Sequence, residues 1–321
     1  MKTFNIYALL GLCLLMSCSK KQDVVRNETQ EEIATEVVAY DKAVYKKGAT
    51  IYGSNNYTRI IVGDLASPII LSSPHDGTLE PATIPDRTNP DAVTVRDTYA
   101  TDLTFRIADA LEDITGLRPH IIINMLRRSK MDPNRSLAEA YLTHADATKA
   151  WNDYQNAIKI ARQIVVDNRG KGLYLDMHGH GHDKQRIEVA YTLSKTQLNY
   201  TDAQINGLAS QSSIYAIAKT SPFAFSQLVR GDQAFGTLMA NEGVPSVPSK
   251  QDPMPGSDLY FDGGYCTSTY GSEKGGTISA IQLETPWTNR SVLAVRTTAG
   301  IGIANALVSY FKMHYAIDLK K

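Results

Sequence analysis

Short apolar runs alternate with longer segments of helical period along most of the chain. Residues 69–71, 121–123 and 173–175 are brief runs of large apolar side chains, as buried strands require. Segments with apolar residues three or four positions apart, typical of amphipathic helices, lie between them. The alternation predicts one α/β domain with a mixed central sheet flanked by helices.

Local signals set the predicted limits of the elements. Residues 98–115 carry one apolar face, and Gly116 follows where a C-terminal cap is expected. Ser136 is predicted to cap a long helix that ends near Gly170. Four further segments are predicted in the same way: two or three short helices over 198–243, a glycine-rich loop over 256–276, a strand over 277–283 and a closing helix over 291–310.

The N-terminal residues predict export. Residues 1–17 contain a lysine and then an apolar run too short to cross a bilayer, and Cys18 follows directly. This ending resembles the lipobox of bacterial lipoproteins, which implies cleavage before Cys18 and lipidation of its thiol. We therefore expect a protein anchored by lipid to a bacterial membrane, at the outer membrane or cell surface. Residues 18–45 are polar and predict a flexible tether, so the folded domain is expected over 46–321.

Charge and cysteine content exclude several classes of protein. Thirty-three basic residues balance 33 acidic ones, so the charge excess of a nucleic-acid-binding protein is absent. With Cys13 in the signal peptide and Cys18 lipidated, only Cys266 remains, which allows no disulfide within the domain. A structural zinc site is also disfavoured, because such sites are closed by four ligands that are often cysteines.

Two strand ends carry candidate metal ligands. His75 and Glu80 follow the strand at 69–71, and ligand sites of α/β sheets lie at such carboxyl ends. A nitrogen and an oxygen donor from one turn suit zinc. A polar loop with a capping histidine is the alternative for this turn taken alone.

The strand at 173–175 leads into three histidines at alternate positions, a concentration that favours metal binding over a surface histidine tract. His178 lies closest to the strand and is the predicted third ligand. Asp176 is predicted to support it from behind. His180 is assigned to substrate contact. The alternative is that His180 and His182 are merely solvated.

Three more residues are assigned to catalysis. Glu284 ends the strand over 277–283, where it is predicted to act as general base for the hydrolytic water; an ordinary strand-end glutamate is the alternative. Arg127 and Arg128 follow the strand at 121–123, where either guanidinium would stabilise an oxyanion. The alternative is a basic surface loop.

Together these stretches resemble the zinc carboxypeptidase-like superfamily, in its N-formylglutamate amidohydrolase and poly-γ-glutamate hydrolase branch. The His75-x-Gly77-x-x-Glu80-Pro81 stretch resembles the His-Gly-Gly-x-x-Glu-Pro motif of the second family. Asp132-Pro133-Asn134-Arg135 resembles the Asp-x-Asn-Arg motif that holds a substrate carboxylate, which implies that role for Asn134 and Arg135. The resemblance also implies a zinc-carboxypeptidase-like fold, with Glu284 on the strand of the catalytic glutamate.

We therefore expect a zinc-dependent amidohydrolase acting on a carboxylate-bearing substrate, either an N-acyl amino acid or a γ-glutamyl or cell-wall peptide. The alternative is a lipid-anchored protein that binds a glycan or peptide without catalysis. In that case the histidine-rich end of the strand at 173–175 would form the contact surface together with Tyr260, Tyr265 and Tyr270.

Overall fold

The computed structural model describes residues 36–141 and 143–320. The predicted signal peptide, Cys18 and the first part of the predicted tether lie outside the described residues. The last part of that tether, residues 36–45, lies along a long helix. There the Val38 amide donates to Gln163 and Glu36 forms an ion pair with Lys159.

The described part of the chain forms an eight-stranded mixed sheet, which confirms the predicted architecture. Its spatial order is β1-β2-β4-β3-β5-β8-β6-β7. The three contacts among β4, β3, β5 and β8 are parallel, whereas β1, β2 and β6 join the sheet through antiparallel pairs. The strands are β1 (Thr50–Tyr52), β2 (Thr58–Ile61), β3 (Ile69–Ser73), β4 (His120–Asn124), β5 (Gly172–His180), β6 (Ile187–Ala190), β7 (Ser246–Val247) and β8 (Ile278–Pro286).

The helices cover both faces of the sheet; among those described, α1, α3 and α11 are long and the others are short. They are α1 (Ala100–Thr115), α2 (Leu137–Ala140), α3 (Ala145–Arg169), α4 (Lys195–Leu198), α5 (Asp202–Asn206), α6 (Tyr215–Thr220), α7 (Phe225–Arg230), α8 (Phe235–Asn241), α9 (Tyr265–Tyr270), α10 (Trp287–Ser291) and α11 (Leu293–Tyr310). Within the described residues, no helix is both long enough and apolar enough to cross a membrane.

The alternation of side chains along each strand decides which helix a residue contacts. Leu71 and Ile121 point to the face covered by α1 and α11, whereas Ile70, Ile122 and Tyr174 point to the face covered by α3. Both faces are apolar, as expected for parallel strands that are buried on two sides.

Three predicted element limits are corrected. Ser136 precedes the short helix α2 and makes no capping hydrogen bond there, and the long helix α3 begins instead after His144, whose side chain accepts from the Asp146 amide. The predicted loop over 256–276 contains α9, and residues 198–243 contain more helices than expected. Buried positions such as Cys266 and Phe235 decide these helices through tertiary packing.

The parallel strands β3, β4, β5 and β8 end at one edge of the sheet. In the register of β5 and β8, His178 lies directly beside Glu284. Every stretch that the sequence singles out for chemistry begins at this edge or just beyond it.

Candidate metal and catalytic site

Two imidazole rings meet at the carboxyl edge of the sheet. His75 lies in the turn after β3, and His178 lies near the end of β5. Their ring centroids are 4.6 Å apart, and the ring planes are inclined by 74°. Both side chains are buried, so their nitrogen atoms need partners within the protein.

Asp97 supplies a shared partner for the two rings. Its Oδ2 lies 3.3 Å from Nδ1 of His75 and 3.3 Å from Nδ1 of His178. The Gly179 amide donates to the same oxygen at 3.1 Å. The three side chains offer donor atoms within 4.8 Å of one another, a spacing that one metal ion can span. Two imidazole nitrogens and one carboxylate oxygen form the donor set of many catalytic zinc sites.

The opposite nitrogen of each ring is held by a second buried carboxylate. Nε2 of His75 lies 2.7 Å from Asp132, and Nε2 of His178 lies 3.0 Å from Asp176. Metal-binding histidines are usually oriented in this way, by a carboxylate on the nitrogen that does not bind the metal. Asp176 thus lies where the sequence predicted. Asp132 supports His75 from behind.

The charges around His178 favour a positive charge at this point. Burial opposes protonation of the ring, but the charge and hydrogen bond of Asp176, the hydrogen bond of Asp97 and the charge of Glu284 together raise the pKa of His178 well above its ordinary value. The hydrogen bonds from His178 and His75 lower the pKa of Asp97 against the effect of burial. A cation bound among these groups would satisfy the same carboxylates, so the residues fit a metal ion.

Glu80 does not join this cluster, which corrects the predicted ligand set. Leu79 pairs with Leu126 in a short bridge beside β4, and this pairing carries the chain away from His75. The Glu80 side chain is about half exposed and forms a 2.8 Å ion pair with Arg127. Asp97 takes the place in the cluster that the sequence analysis assigned to Glu80.

The sequence offered no signal for Asp97. It lies at the end of a long loop before α1, among several other acidic residues, and nothing in the local pattern distinguishes it from Asp76. The structure does distinguish them. Asp76 accepts hydrogen bonds from Arg96 and from the Thr101 amide at the start of α1, whereas Asp97 turns toward the imidazoles.

Glu284 lies beside the imidazole cluster, at the position predicted for the general base. Its Oε1 is 3.9 Å from Nδ1 of His178 and accepts a 2.9 Å hydrogen bond from Gln282. Burial, with the charges of Asp97 and Glu188, raises the pKa of Glu284 to about 7. A carboxyl group with this pKa both accepts and releases a proton near neutral pH.

The two predicted arginines separate into different environments. Arg128 is largely buried; its Nε lies 3.0 Å from Asp132 and its Nη1 lies 3.6 Å from Asp97. Arg127 is exposed and is engaged with Glu80. The structure therefore places Arg128 at the site and leaves Arg127 outside it.

Asn134 and Arg135 lie on one side of the site. The Asn134 side chain is buried: its Oδ1 accepts from the Cys266 amide at 2.8 Å and its Nδ2 lies 3.3 Å from His178. These contacts fix the Asn134 side chain next to His178, and its role in binding substrate stays a prediction. Arg135 lines a cavity of about 350 Å³ together with Thr192 and Asp262.

His180 and His182 form a separate cluster with Glu188. Nε2 of His180 lies 2.9 Å from the Arg186 carbonyl, and its Nδ1 accepts from the His182 amide. The ring is buried and not solvated, and the contact of His180 with substrate stays a prediction. His182 Nδ1 lies 2.7 Å from Glu188, a residue of β6 that the sequence analysis missed.

Arg290 was also missed. Its guanidinium is buried and donates to the carbonyl groups of Thr285, Thr98 and His180, which joins β5, β8 and the loop that carries Asp97. Gly179 leaves room for it, because a Cβ at this position would lie 2.2 Å from Cζ of Arg290.

The three tyrosines proposed as a binding surface lie in different environments. Tyr270 is buried in the core beside Tyr174, and the hydroxyl of Tyr260 donates to the Val189 carbonyl. Two of the three rings that the non-catalytic alternative would use are therefore engaged within the fold, whereas Tyr265 lines the cavity that contains Arg135.

The sequence matches no family model and no curated protein. Several solved structures resemble the fold. An N-formylglutamate amidohydrolase from Ralstonia eutropha JMP134 aligns at a TM-score of 0.44 with 11% identity, over 78% of this chain and 96% of that one. A bacteriophage poly-γ-glutamate hydrolase aligns at 0.36 with 12% identity, over 79% and 90%. A metallo-carboxypeptidase from Burkholderia cenocepacia aligns at 0.35 with 11% identity, over 79% and 60%.

These neighbours include both families that the sequence motifs resemble, together with the wider carboxypeptidase-like group. The likeness concerns the arrangement of sheet and helices. The chemistry of the site depends on the side chains at the carboxyl edge.

Proposed function

We propose that this protein is a zinc-dependent hydrolase of amide bonds, with His75, Asp97 and His178 as the metal ligands. One observation carries the proposal. Two buried imidazoles direct Nδ1 at one carboxylate oxygen, each is backed by a second carboxylate, and a glutamate with a raised pKa lies 3.9 Å from one of them. A protein that only binds its ligand has no use for that glutamate.

Three side chains divide the remaining work. A bound zinc ion would polarise the amide carbonyl and promote ionisation of water. Glu284 accepts the proton of the attacking water and passes it to the leaving nitrogen. Arg128 directs its guanidinium into the site and stabilises negative charge on the carbonyl oxygen. Arg135, in the adjoining cavity, attracts a substrate carboxylate.

Asp132 and Asp176 orient the imidazole rings of His75 and His178 before a metal binds. Each carboxylate fixes which ring nitrogen faces the site, so less reorganisation is needed when a metal binds. Substrates that fit this proposal are N-acyl amino acids and γ-glutamyl or cell-wall peptides.

The proposed lipid anchor at Cys18 also bears on access to substrate. Glu36 contacts Lys159 in the half of α3 that leads toward the start of β5, and Val38 lines a cavity with Gly276 and Ile278 at the start of β8. The tether therefore enters the domain near the amino ends of the strands. The proposed catalytic residues lie at the opposite edge of the sheet, away from this entry point.

Metal analysis of matched variants tests the ligand set. The purified protein is expected to hold about one zinc per chain. Asp97→Ala should lose it because one of three ligands is removed, whereas Glu80→Ala should keep it. Plasma emission spectroscopy after dialysis measures the ratio, and hydrolysis of N-acyl and γ-glutamyl substrates is assayed in parallel. Zinc retained by both His75→Ala and His178→Ala would rule out the site.

A further inference from the structure

Two exposed aromatic rings lie at the rim of the proposed catalytic site. Tyr99 is 41% exposed and Trp287 is 48% exposed. Their ring centroids are 6.0 Å apart and their planes are inclined by 31°. Tyr99 follows Asp97 by two residues and Trp287 follows Glu284 by three, so the loop and the strand that build the site also deliver the aromatic pair.

A guanidinium group lies against each ring. Cζ of Arg290 is 5.7 Å from the Trp287 centroid, and Cζ of Arg296 is 4.6 Å from the Tyr99 centroid. Arg290 is itself bound to the His180 carbonyl of β5, so a single side chain separates Trp287 from the strand that carries His178. Rings supported in this way lose little freedom when a ligand stacks on them.

The backbone at Tyr99 is strained. Its φ is 70° and its ψ is 7°, in the left-handed region that a bulky side chain rarely adopts. Strain of this kind is retained mostly at ligand sites, where the surrounding structure holds it. Core packing does not require an aromatic residue here, because the side chain is exposed.

Neutral polar side chains also lie beside the pair. Thr288 and Gln185 are exposed next to Trp287 and are hydrogen-bonded to each other, and Thr98 precedes Tyr99. A flat apolar face edged by hydroxyl and amide groups complements a pyranose ring, which has an apolar C–H face and a hydroxyl edge. The electron-rich face of an aromatic ring attracts such C–H groups. A membrane-binding surface would combine a wider apolar face with lysines and arginines.

We infer that Tyr99 and Trp287 form a stacking subsite for a sugar ring of the substrate, so that the amide to be cleaved lies beside a pyranose. This rests on the proposed function, since the subsite adjoins the proposed hydrolytic residues. The stacking subsite would select, among carboxylate-bearing amides, those that are linked to a sugar.

Binding of a chitin oligosaccharide tests the inference without turnover. Tetra-N-acetylchitotetraose is titrated into the full protein by isothermal calorimetry. Trp287→Ala should raise Kd about tenfold or more, because a stacking anchor is removed. Tyr52→Ala, which removes an aromatic ring of similar exposure on β1, should leave Kd unchanged.

Tyr99→Gly separates binding from folding. Glycine adopts the left-handed conformation freely, so Tm should stay the same or rise while the affinity for the oligosaccharide falls. A lower Tm with unchanged affinity would assign Tyr99 a structural role only and overturn the inference. Failure of the wild-type protein to bind the oligosaccharide would also overturn the inference. So would binding of the wild-type protein to lipid vesicles, and not to the oligosaccharide, if that binding were lost in Trp287→Ala.

The two proposals fail in different ways. Oligosaccharide binding that depends on Trp287, in a protein without zinc or amide hydrolysis, would contradict the proposed function and leave the sugar subsite standing. Zinc-dependent hydrolysis of sugar-free amides, with no oligosaccharide binding, would contradict the sugar subsite alone.

Discussion

Asp97 joins three donors on a single carboxylate oxygen: the imidazoles of His75 and His178 and the Gly179 amide. Without such contacts a buried carboxylate would be neutralised by an upward shift of its pKa. Here the contacts lower the pKa of Asp97. The neighbouring carboxyl of Glu284 lacks equivalent donors, and its pKa is raised to about 7. The two acids therefore suit different tasks, one as a permanent anion and the other as a proton carrier.

Changing Glu284 to glutamine should abolish most hydrolysis and leave zinc in place. Loss of a general base typically slows turnover by about 10²- to 10⁴-fold. Turnover is measured on the best substrate of the amide panel, and zinc by emission spectroscopy. Glu80→Gln is the control, because this glutamate forms only a surface ion pair. Unchanged turnover in Glu284→Gln would remove its role as base.

His120, which lies outside the candidate site, is expected to make the stability of the fold depend on pH. It is fully buried, and burial lowers its pKa from 6.5 to about 4. The unfolded chain therefore binds a proton that the folded chain does not, between these two pH values. Stability is full above pH 6.5 and falls as the pH approaches 4, by about 3 kcal/mol from this residue.

The measurement compares wild type with His120→Asn. In the wild-type protein the Gly63 amide donates a hydrogen bond to Nδ1 of His120, and the side-chain oxygen of asparagine can accept the same bond. Urea unfolding at pH 7 and pH 5 should show a smaller loss of stability for the variant. Parallel loss in both proteins would contradict the assignment.

At the scale of elements, strand ends and their loops are held together by close backbone contacts. Gly77 follows His75 and lies against the chain after β4, where a Cβ would be 2.2 Å from the Leu126 carbonyl oxygen. The turn that presents His75 thus depends on the absence of a side chain at Gly77. Packing alone requires glycine here.

Gly77→Ala should destabilise the protein by about 1–3 kcal/mol, since a backbone contact must give way. The displaced turn should also weaken zinc binding. Gly181→Ala is a matched control, because nothing lies within 4 Å of a Cβ there. Thermal unfolding and competition with a zinc chelator measure the two effects. Equal behaviour of the variants would show that the turn tolerates a methyl group.

Most elements were predictable because they are periodic. The apolar runs predicted β3, β4 and β5, and the helical period predicted α1 and α11. The start of α3 was mislocated because Ser136 has the side chain of a cap but not its hydrogen bond. The helix α9 was hidden in a segment rich in glycine and serine, where burial of Cys266 and Tyr270 outweighs low helix propensity.

At the scale of the whole molecule, residues 36–38 and the candidate catalytic edge lie at opposite ends of the sheet. Residues 36–38 contact α3 and the start of β8, and β8 ends just beyond Glu284. The predicted lipidation of Cys18 is tested by a fractionation experiment.

Cys18→Ser should move the protein from the membrane fraction to the soluble fraction of the expressing bacterium. The lipid chains would supply the membrane affinity, at about 0.8 kcal/mol for each buried CH₂ group. Immunoblots of the two fractions and incorporation of labelled palmitate measure the change. Zinc content should not change. A Cys18→Ser protein that stays in the membrane fraction would refute the anchor.

The sequence by itself determined the α/β class and the sheet edge at which His75, His178, Asp176 and Glu284 meet. It could do so because strand periodicity and chain order bring the ends of parallel strands together. Only the tertiary structure placed Asp97, and not Glu80, beside the imidazoles. It also placed Arg128, and not Arg127, at the site. Those choices depend on the path of long loops, which is set by backbone pairing and packing between segments far apart in the chain.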